Sequence, residues 1–325
     1  MNRTYIIIVN WNGWRDTIEC LESLMLLEYP DFRIVVCDNG SEDDSILKLR
    51  EWSEITFGSG LWQELSRPVA ENGGSILDTR FTLVANGENL GFAGGNNVGL
   101  RYALSCGDAE YCWLLNNDTV VDVFALAAMV ERMEERPDAG MCGSTLREYD
   151  NRNKIQALGG AVYYKWFGIA WHIGRTIRGD VLTDQVLVEK KMDYVVGASL
   201  LVRSTYIIEV GLMAEDYFLY FEEIDWVSRG QRRYSLAYAP KSVVYHKVGA
   251  SIGTATNPCR KSLLCDYYTL RNRILFTSRY CPAVLPVVYL GLAGEMLVRV
   301  LCGRMDLAAM IWRLFWNNEK DSEAI

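Results

Sequence analysis

The chain is short of the residues that usually announce a metal or redox centre: it has only two histidines, and its nine cysteines include no C-x-x-C pair. Cys37, Cys112 and Cys142 lie inside apolar runs, so the cysteines read as reduced core residues rather than disulfide partners or zinc ligands. Net positive charge is also missing. With 41 acidic against 33 basic side chains the formal charge is −8, which argues against nucleic acid as a partner, because phosphate backbones are drawn to net positive surface. The first apolar stretch, in MNRTYIIIVNWNG, is too short for an export signal and lacks a cleavage pattern, so a cytoplasmic location is expected. No G-x-G-x-x-G follows that stretch, where VNWNGW stands instead, and this weakens a nicotinamide-dinucleotide reading.

What the chain does have is apolar mass. Hydrophobic residues make up 50% of its 325 positions, enough for one large domain or one domain plus an appendage. Tyr5 to Val9, Phe32 to Cys37, Phe81 to Val84 and Tyr111 to Leu115 are short continuous apolar runs of the buried, parallel-strand kind. Between them Trp14 to Leu27, Asp43 to Trp52, Gly94 to Ser105 and Val123 to Arg136 carry helical spacing, with Asp43 and Asp122 near the N-caps. Repeated βα units predict an α/β, doubly wound sheet whose ligands bind beyond the carboxyl ends of its strands. Ser53 to Arg80, rich in Gly, Ser and charge, reads as an insertion on the sheet's rim. Past Leu146 the alternation gives way to mixed elements, a second half of the same domain. That domain is expected to span 1–280, with 281–325 as an apolar or amphipathic helical tail. In the tail Pro282, Pro286, Glu295 and Arg299 interrupt an apolar stretch. The Glu295 and Arg299 pair, sharing one helical face, fits a helix lying at a membrane surface, on a partner or on the domain better than one crossing lipid.

Polar residues gather where the strands end. Asp38, in IVVCDNGSED, is suited to accept from a base N–H or a sugar hydroxyl, and equally to cap a helix within a turn cluster. In NLGFAGGNNVG, residues 89–99, Gly91, Gly94 and Gly95 let backbone approach a ligand, while a helix starting near Asn96 points free N–H groups outward. LLNNDTVV, residues 114–121, is either a turn or a metal site. Mg²⁺ or Mn²⁺ prefers oxygen ligands and keeps waters, so Asp118 plus diphosphate oxygens would suffice, with Asn116 and Asn117 contacting ribose or supporting the metal. An Asx-rich loop capping the next helix explains the same residues. His246, ending the strand SVVYH, could complete such a shell, touch a phosphate or be structural; His172 looks incidental.

The acidic stretch EDYFLYFEEIDW holds Glu215, Asp216, Glu222, Glu223 and Asp225. On a helix beginning near Glu222, that residue and Asp225 are neighbours, and Glu223 projects about 100° away. A carboxylate at a helix N-terminus is expected to stay ionised, the form a general base requires, although ordinary first-turn acidic enrichment also accounts for the cluster. Finally, RKSLLCDYYTLRNRILFTSR sets Arg260, Lys261, Arg271, Arg273 and Arg279 against Asp266. The local charge reversal suits a phosphate, an anionic membrane surface or a solvated helix face.

Together these segments resemble the family 2 glycosyltransferases of the GT-A fold, most closely the rhamnosyltransferase-like bacterial branch. The likeness runs from Tyr5 to about Arg279. It rests on VNWNG at 9–13, CDNGS at 37–41, NLGFAGGNNVG, LLNNDTVV, VVGASLLVRS at 195–204, YFLYFEEIDW at 217–226, VYHKVGASIG at 244–253 and YYTLRNRILF at 267–276, whose order and spacing are specific together. The resemblance implies a Rossmann-like nucleotide-binding half fused to a mixed-sheet acceptor half. It also implies inverting transfer from a nucleoside-diphosphate sugar to a glycan or lipid-linked acceptor, with rhamnose or another deoxysugar and cell-envelope polysaccharide as the expected setting. By that likeness Asn10 and Asp38 contact the base, Asn89, Gly91 and Asn97 frame the nucleotide, and Asp118 holds the metal. Many relatives carry D-x-D or D-D-D where this chain has Asn116 and Asn117, which lowers the expected metal affinity. Their acidic motif usually reads E-D-x-D. Here Glu223 takes the place of the expected base, one methylene longer than Asp, with Glu222 its close competitor. Two other readings compete: a sugar nucleotidyltransferase, whose basic triphosphate loop VNWNGW does not supply before Arg15, and a silent scaffold of the same fold. Acceptor loops are expected at Ser53 to Arg80 and Tyr163 to Asp180, where Tyr163, Tyr164, Trp166, Phe167 and Trp171 suit stacking on sugar rings.

Overall fold

The computed structural model describes residues 2–73, 79–179, 183–247 and 262–316. Its first half alternates as the apolar runs predict: Thr4–Asn10 (β1), Trp14–Leu24 (α1), Phe32–Asp38 (β2), Ser45–Phe57 (α2), Trp62–Ser66 (β3), Arg67–Glu71 (α3), Phe81–Ala85 (β4), Gly91–Ser105 (α4) and Tyr111–Leu115 (β5). Then come Thr119–Val121 (β6), Ala125–Glu135 (α5), Ala139–Glu148 (β7), Ile155–Leu158 (β8), Gly160–Tyr164 (β9), Ile169–His172 (β10), Gln185–Glu189 (α6), Tyr194–Val195 (β11), Ser199–Arg203 (β12), Ser204–Val210 (α7), Glu222–Gly230 (α8) and Ser235–His246 (β13). Three helices close the chain: Leu263–Tyr280 (α9), Leu285–Leu301 (α10) and Met305–Leu314 (α11).

One sheet runs in the order β3-β4-β2-β1-β5-β12-β7-β13-β6, with β8 paired to β7; a smaller sheet is β10-β9-β11. From β3 to β5 every pairing is parallel, whereas β12 runs antiparallel to both β5 and β7. The continuous apolar runs follow from burial on two faces. Ile6, Ile8, Trp113 and Leu115 face a core shared with Leu21, Leu24 and Met129, and their alternates Tyr5, Ile7, Cys112 and Leu114 face one shared with Val98, Ala103 and Trp226. Strand order reverses between β1 and β5, so the crevice at their carboxyl ends is the switch point where such sheets take ligands.

Three expectations change. Ser53 to Arg80, read as an insertion on the rim, lies at the sheet's edge but carries regular structure there: α2 continues to Phe57, and β3 pairs in parallel with β4 from Trp62↔Phe81 to Ser66↔Ala85. An edge strand buries one face only, so half of its side chains are polar and no apolar run marks it. The amide nitrogen of its buried Gln63 donates to the hydroxyls of Thr82 at 3.0 Å and Tyr102 at 2.7 Å. Residues 74–78 of this segment, Asp180, residues 248–261 with Arg260 and Lys261, and residues 317–325 lie outside the described residues. The second change concerns Cys302, which is disulfide-bonded, while Cys20, Cys37, Cys106, Cys112, Cys142, Cys265 and Cys281 are free. Burial pushes the thiols of Cys20, Cys37 and Cys112 up to about 12, so they stay protonated and inert. Third, α4 begins at Gly91, ahead of the expected Gly94.

The chain forms two compact units, one of Met1–Val162, His172–Phe218 and Glu222–Lys247, the other of Tyr163–Trp171, Leu219–Phe221 and Val248–Ile325. Within the second, both charged residues of α10 turn toward α9. Glu295 accepts from Arg273 at 2.7 Å, and Arg299 donates twice to Asp266, at 2.8 and 3.1 Å. With its charges turned inward, α10 exposes Val287, Leu290, Leu297 and Leu301.

Candidate functional site

Register places the first two site residues. Asn10 ends β1 opposite Asp38 at the end of β2, and in a parallel pair both side chains reach the carboxyl edge on the same face. Both are buried, so their polar atoms need partners. Asn10 Nδ2 donates to Asp38 Oδ1 at 2.7 Å; Ser41 donates to Asp38 through its hydroxyl at 2.6 Å and its backbone N–H at 3.0 Å. On the other side Thr17 Oγ1 donates to Asn10 Oδ1 at 2.7 Å and accepts from Asn117 Nδ2 at 3.0 Å. An unbroken relay, Asn117 to Thr17 to Asn10 to Asp38 to Ser41, therefore ties the ends of β5, β1 and β2 together. Thr17 belongs to α1, and its adjacency to both asparagines has no signature in the sequence.

The glycine-rich segment is organised by asparagines. Asn39 donates to Gly91 O at 2.9 Å and accepts from Asn86 at 2.7 Å, and Asn89 Oδ1 accepts from Gly91 N at 3.0 Å. Gly91 has φ +70°, and a Cβ there would lie 2.6 Å from the Phe218 ring. Protein rather than open space covers that face of Gly91. Gly95 is buried with its α-carbon against the Asn39 amide. Asn97 is also buried, donating to Met213 O at 2.9 Å and Glu215 at 2.8 Å while accepting from Met213 N at 3.1 Å. It pins α4 to the segment leading into α8. Arg271 lies on α9 of the second unit, where it donates to Asn272 at 2.7 Å.

Asp118 and His246 come together through the sheet. β6 pairs antiparallel with β13, setting Thr119 opposite His246, and Asp118 Oδ1 stands 3.2 Å from His246 Nε2. His246 Nδ1 is 2.9 Å from Gln156 Oε1, an atom that can only accept, which makes Nδ1 the donor there and leaves Nε2 as the ring nitrogen turned toward the carboxylate. With Nε2 unprotonated, as a ligand nitrogen must be, the two atoms suit a cation between them. Among the described residues no three His, Cys, Asp or Glu side chains cluster as a metal cage. The pair instead fits a hard cation that takes its other oxygens from diphosphate and water.

The three carboxylates of α8 meet different fates. Asp225 accepts from Tyr217 at 3.2 Å and from Arg229 at 2.8 Å. Glu222 is only 2% exposed. Glu223 accepts from Gly197 N at 3.2 Å through one oxygen and remains partly exposed. Burial raises its pKa, with its own N–H and that of Gly197 opposing the rise. Desolvation therefore outweighs the helix terminus, which alone predicted a readily ionised group. Asn116 N donates to Ala198 O at 3.1 Å, so the Gly197 turn and the end of β5 share one edge. Phe218, Tyr220 and Phe221, just ahead of α8, hold φ of 61°, 67° and 76°, a strained region for such residues. Within the second unit Asn272 donates to Leu219 O at 2.7 Å and Tyr220 O at 3.0 Å, and Trp166, Phe167 and Trp171 are exposed.

A mixed α/β sheet with oxygen donors at its switch point and an acidic helix beside it defines a GT-A fold with a helical C-terminal region. The chain belongs to glycosyl transferase family 2, whose model matches residues 5–204, and it is a glycosyltransferase. Among curated proteins none matches it in sequence. Among solved structures it resembles the mannosyltransferase PcManGT from Pyrobaculum calidifontis in complex with GDP-Man and Mn²⁺, at 15% identity and TM-score 0.57, covering 99% of this chain and 88% of that one. It also resembles GalNAc-T7 with UDP, GalNAc and Mn²⁺, at 14% identity and TM-score 0.56, covering 84% of this chain and 51% of that one. TarS 1-349 of S. aureus in complex with UDP-GlcNAc follows at 12% identity and TM-score 0.51, covering 96% and 91%. These likenesses are of fold.

Thr17→Val should destabilise the protein by about 1–3 kcal/mol, because it leaves the buried oxygen of Asn10 without its donor and Asn117 without its acceptor. Urea unfolding measures the loss, and a midpoint equal to that of the parent protein would refute the relay's role.

Proposed function

We propose that this glycosyltransferase moves a sugar, with inversion, from a nucleoside-diphosphate sugar to a hydroxyl of a glycan or lipid-linked acceptor, with Glu223 as base. The observation that carries the reading is the division of labour on α8: Glu223 has one oxygen held by Gly197 and stands at the same edge as Asn116, whereas Asp225 is occupied by Arg229 and Tyr217. Glu223 takes the acceptor's hydroxyl proton while that oxygen bonds to the anomeric carbon. The bond from that carbon to the diphosphate breaks, and its electron pair leaves with the phosphate. Mg²⁺ or Mn²⁺, held by Asp118 and His246, would supply the positive charge that the leaving diphosphate needs. Asn10 and Asp38 face the base, and Asn89, Gly91, Gly95, Asn97 and Asn117 build the walls around the nucleotide, largely by fixing backbone. Arg271 is assigned to a phosphate on charge alone. The nucleotides and Mn²⁺ bound by the structural neighbours support the donor class and the metal.

Rhamnose or another deoxysugar, and a cell-envelope polysaccharide as product, rest on the motif resemblance. Residues 1–280 form the catalytic part in this reading, and 281–325 a tail that touches the cytoplasmic face of a membrane. Supporting the tail's role, Pro282–Leu301 is 20 residues long with mean hydropathy 1.8, and only 22% of it is buried.

Glu223→Gln should lower transfer by at least 10²-fold with nucleotide affinity unchanged, since the amide cannot take the proton. For the parent enzyme kcat should fall as pH drops through the raised pKa of Glu223, so the acid limb lies above the ordinary glutamate range near 4.5. Transfer that survives in Glu223→Gln but disappears in Glu222→Gln would move the base to Glu222. His246→Ala should weaken Mn²⁺-dependent nucleotide binding about 10–100-fold in calorimetry while leaving metal-free binding alone; equal losses in both would refute the metal role. Co-sedimentation with anionic vesicles should drop several-fold when residues 281–325 are removed from a chain that still binds nucleotide, and unchanged sedimentation would refute the tail's role.

A further inference from the structure

We propose that Gly197 is a positioning residue for the reaction: its missing Cβ makes room for the Glu223 carboxyl group, and its N–H fixes which oxygen faces the acceptor. The proposal rests on Glu223 being the base. Backbone conformation does not demand glycine here, because Gly197 is not among the residues with positive φ. Space demands it. A Cβ at position 197 would lie 3.2 Å from both Cγ and Cδ of Glu223, and nearer still to Oε1.

Backbone hydrogen bonds restrain the turn. Val196 N donates to Gly159 O at 3.3 Å, Ser199 N to Val196 O at 3.2 Å, and Asn116 N to Ala198 O at 3.1 Å, so the turn is held on both sides of Gly197. Glu223 is the second residue of α8, where the helix sets its Cα. The side chain is then the part that must yield, and yielding takes Oε1 off the amide. A glutamate is one methylene longer than an aspartate, and that length is what carries its carboxyl group up to the glycine.

The pairing is tested by a mutant cycle on the full chain, reading kcat, donor KM, the pH profile and Tm. Gly197→Ala should lower kcat about 10²-fold, the usual result of moving a reacting group by roughly an ångström, with donor binding unchanged. Its acid limb should shift to higher pH, because the N–H that favours the carboxylate is lost. Glu223→Asp should also lose activity, since the shorter group falls short of the amide. Gly197→Ala/Glu223→Asp should be more active than Gly197→Ala alone, because aspartate leaves space for the methyl group. Wild-type kcat and pH limb in Gly197→Ala, or losses that simply multiply in the double variant, would overturn the proposal. Should Gly197→Ala fail to fold, Gly197→Ala/Glu223→Ala decides: a restored Tm supports the contact, and an unrestored one overturns it. Activity surviving in Glu223→Gln would instead unseat the base itself.

Discussion

A carboxylate buried at the end of a parallel strand must be met by donors, and the site is assembled around that demand at Asp38. Asn10 meets it from the neighbouring strand because Asn10 and Asp38 share a register position, and Ser41 meets it by folding the following loop back. Once the amide nitrogen of Asn10 is committed, its oxygen requires a donor, which Thr17 provides, and Thr17 in turn receives Asn117. Satisfaction of one buried charge thus propagates across the carboxyl ends of three strands. In the proposed reading these hydrogen bonds, each worth about 1 kcal/mol net and more if left unmade, hold the base and diphosphate ends of the nucleotide-sugar site at a fixed separation.

The opposite wall works by desolvation. Three carboxylates begin one helix, and the fold separates their roles through what covers them. Arg229 and a tyrosine hydroxyl occupy Asp225, while Glu222 is buried; Glu223 alone combines a single backbone anchor with remaining exposure. A partly dry carboxyl group is a stronger base than one in water, which suits removal of a proton from an alcohol. The strained residues ahead of the helix show that the chain is held in place there against its local preference.

Much of this was legible in the residues. Runs such as YCWLL are strands because both faces are buried, and polar letters directly after them mark the carboxyl edge. Asp118 and His246, far apart in sequence, were expected to share a site, and β6 against β13 brings them together. Gln63 hid an edge strand, since a polar residue in a polar segment reads as loop until a tyrosine and a threonine are seen to pair with it. Gly91 and Asn97 carry motif positions yet serve protein segments, Phe218 and Met213. Thr17 and Gln156 carried no local signal, because each acts on a residue distant along the chain, and Gly197 sat in the VVGASLLVRS motif with nothing in the sequence to pair it with Glu223.

The sequence by itself determined the architecture and the chemical inventory: buried parallel strands, oxygen donors at their ends, an acidic helix and a family-wide order of motifs. Periodicity and residue type are local quantities, and they survive in one dimension. Which carboxylate of α8 stays partly exposed, which ring nitrogen of His246 faces Asp118 and what fills the space beside Gly197 were decided only in three dimensions. Each depends on the distance between groups that strand pairing and helix packing bring together, and linear spacing does not encode that distance.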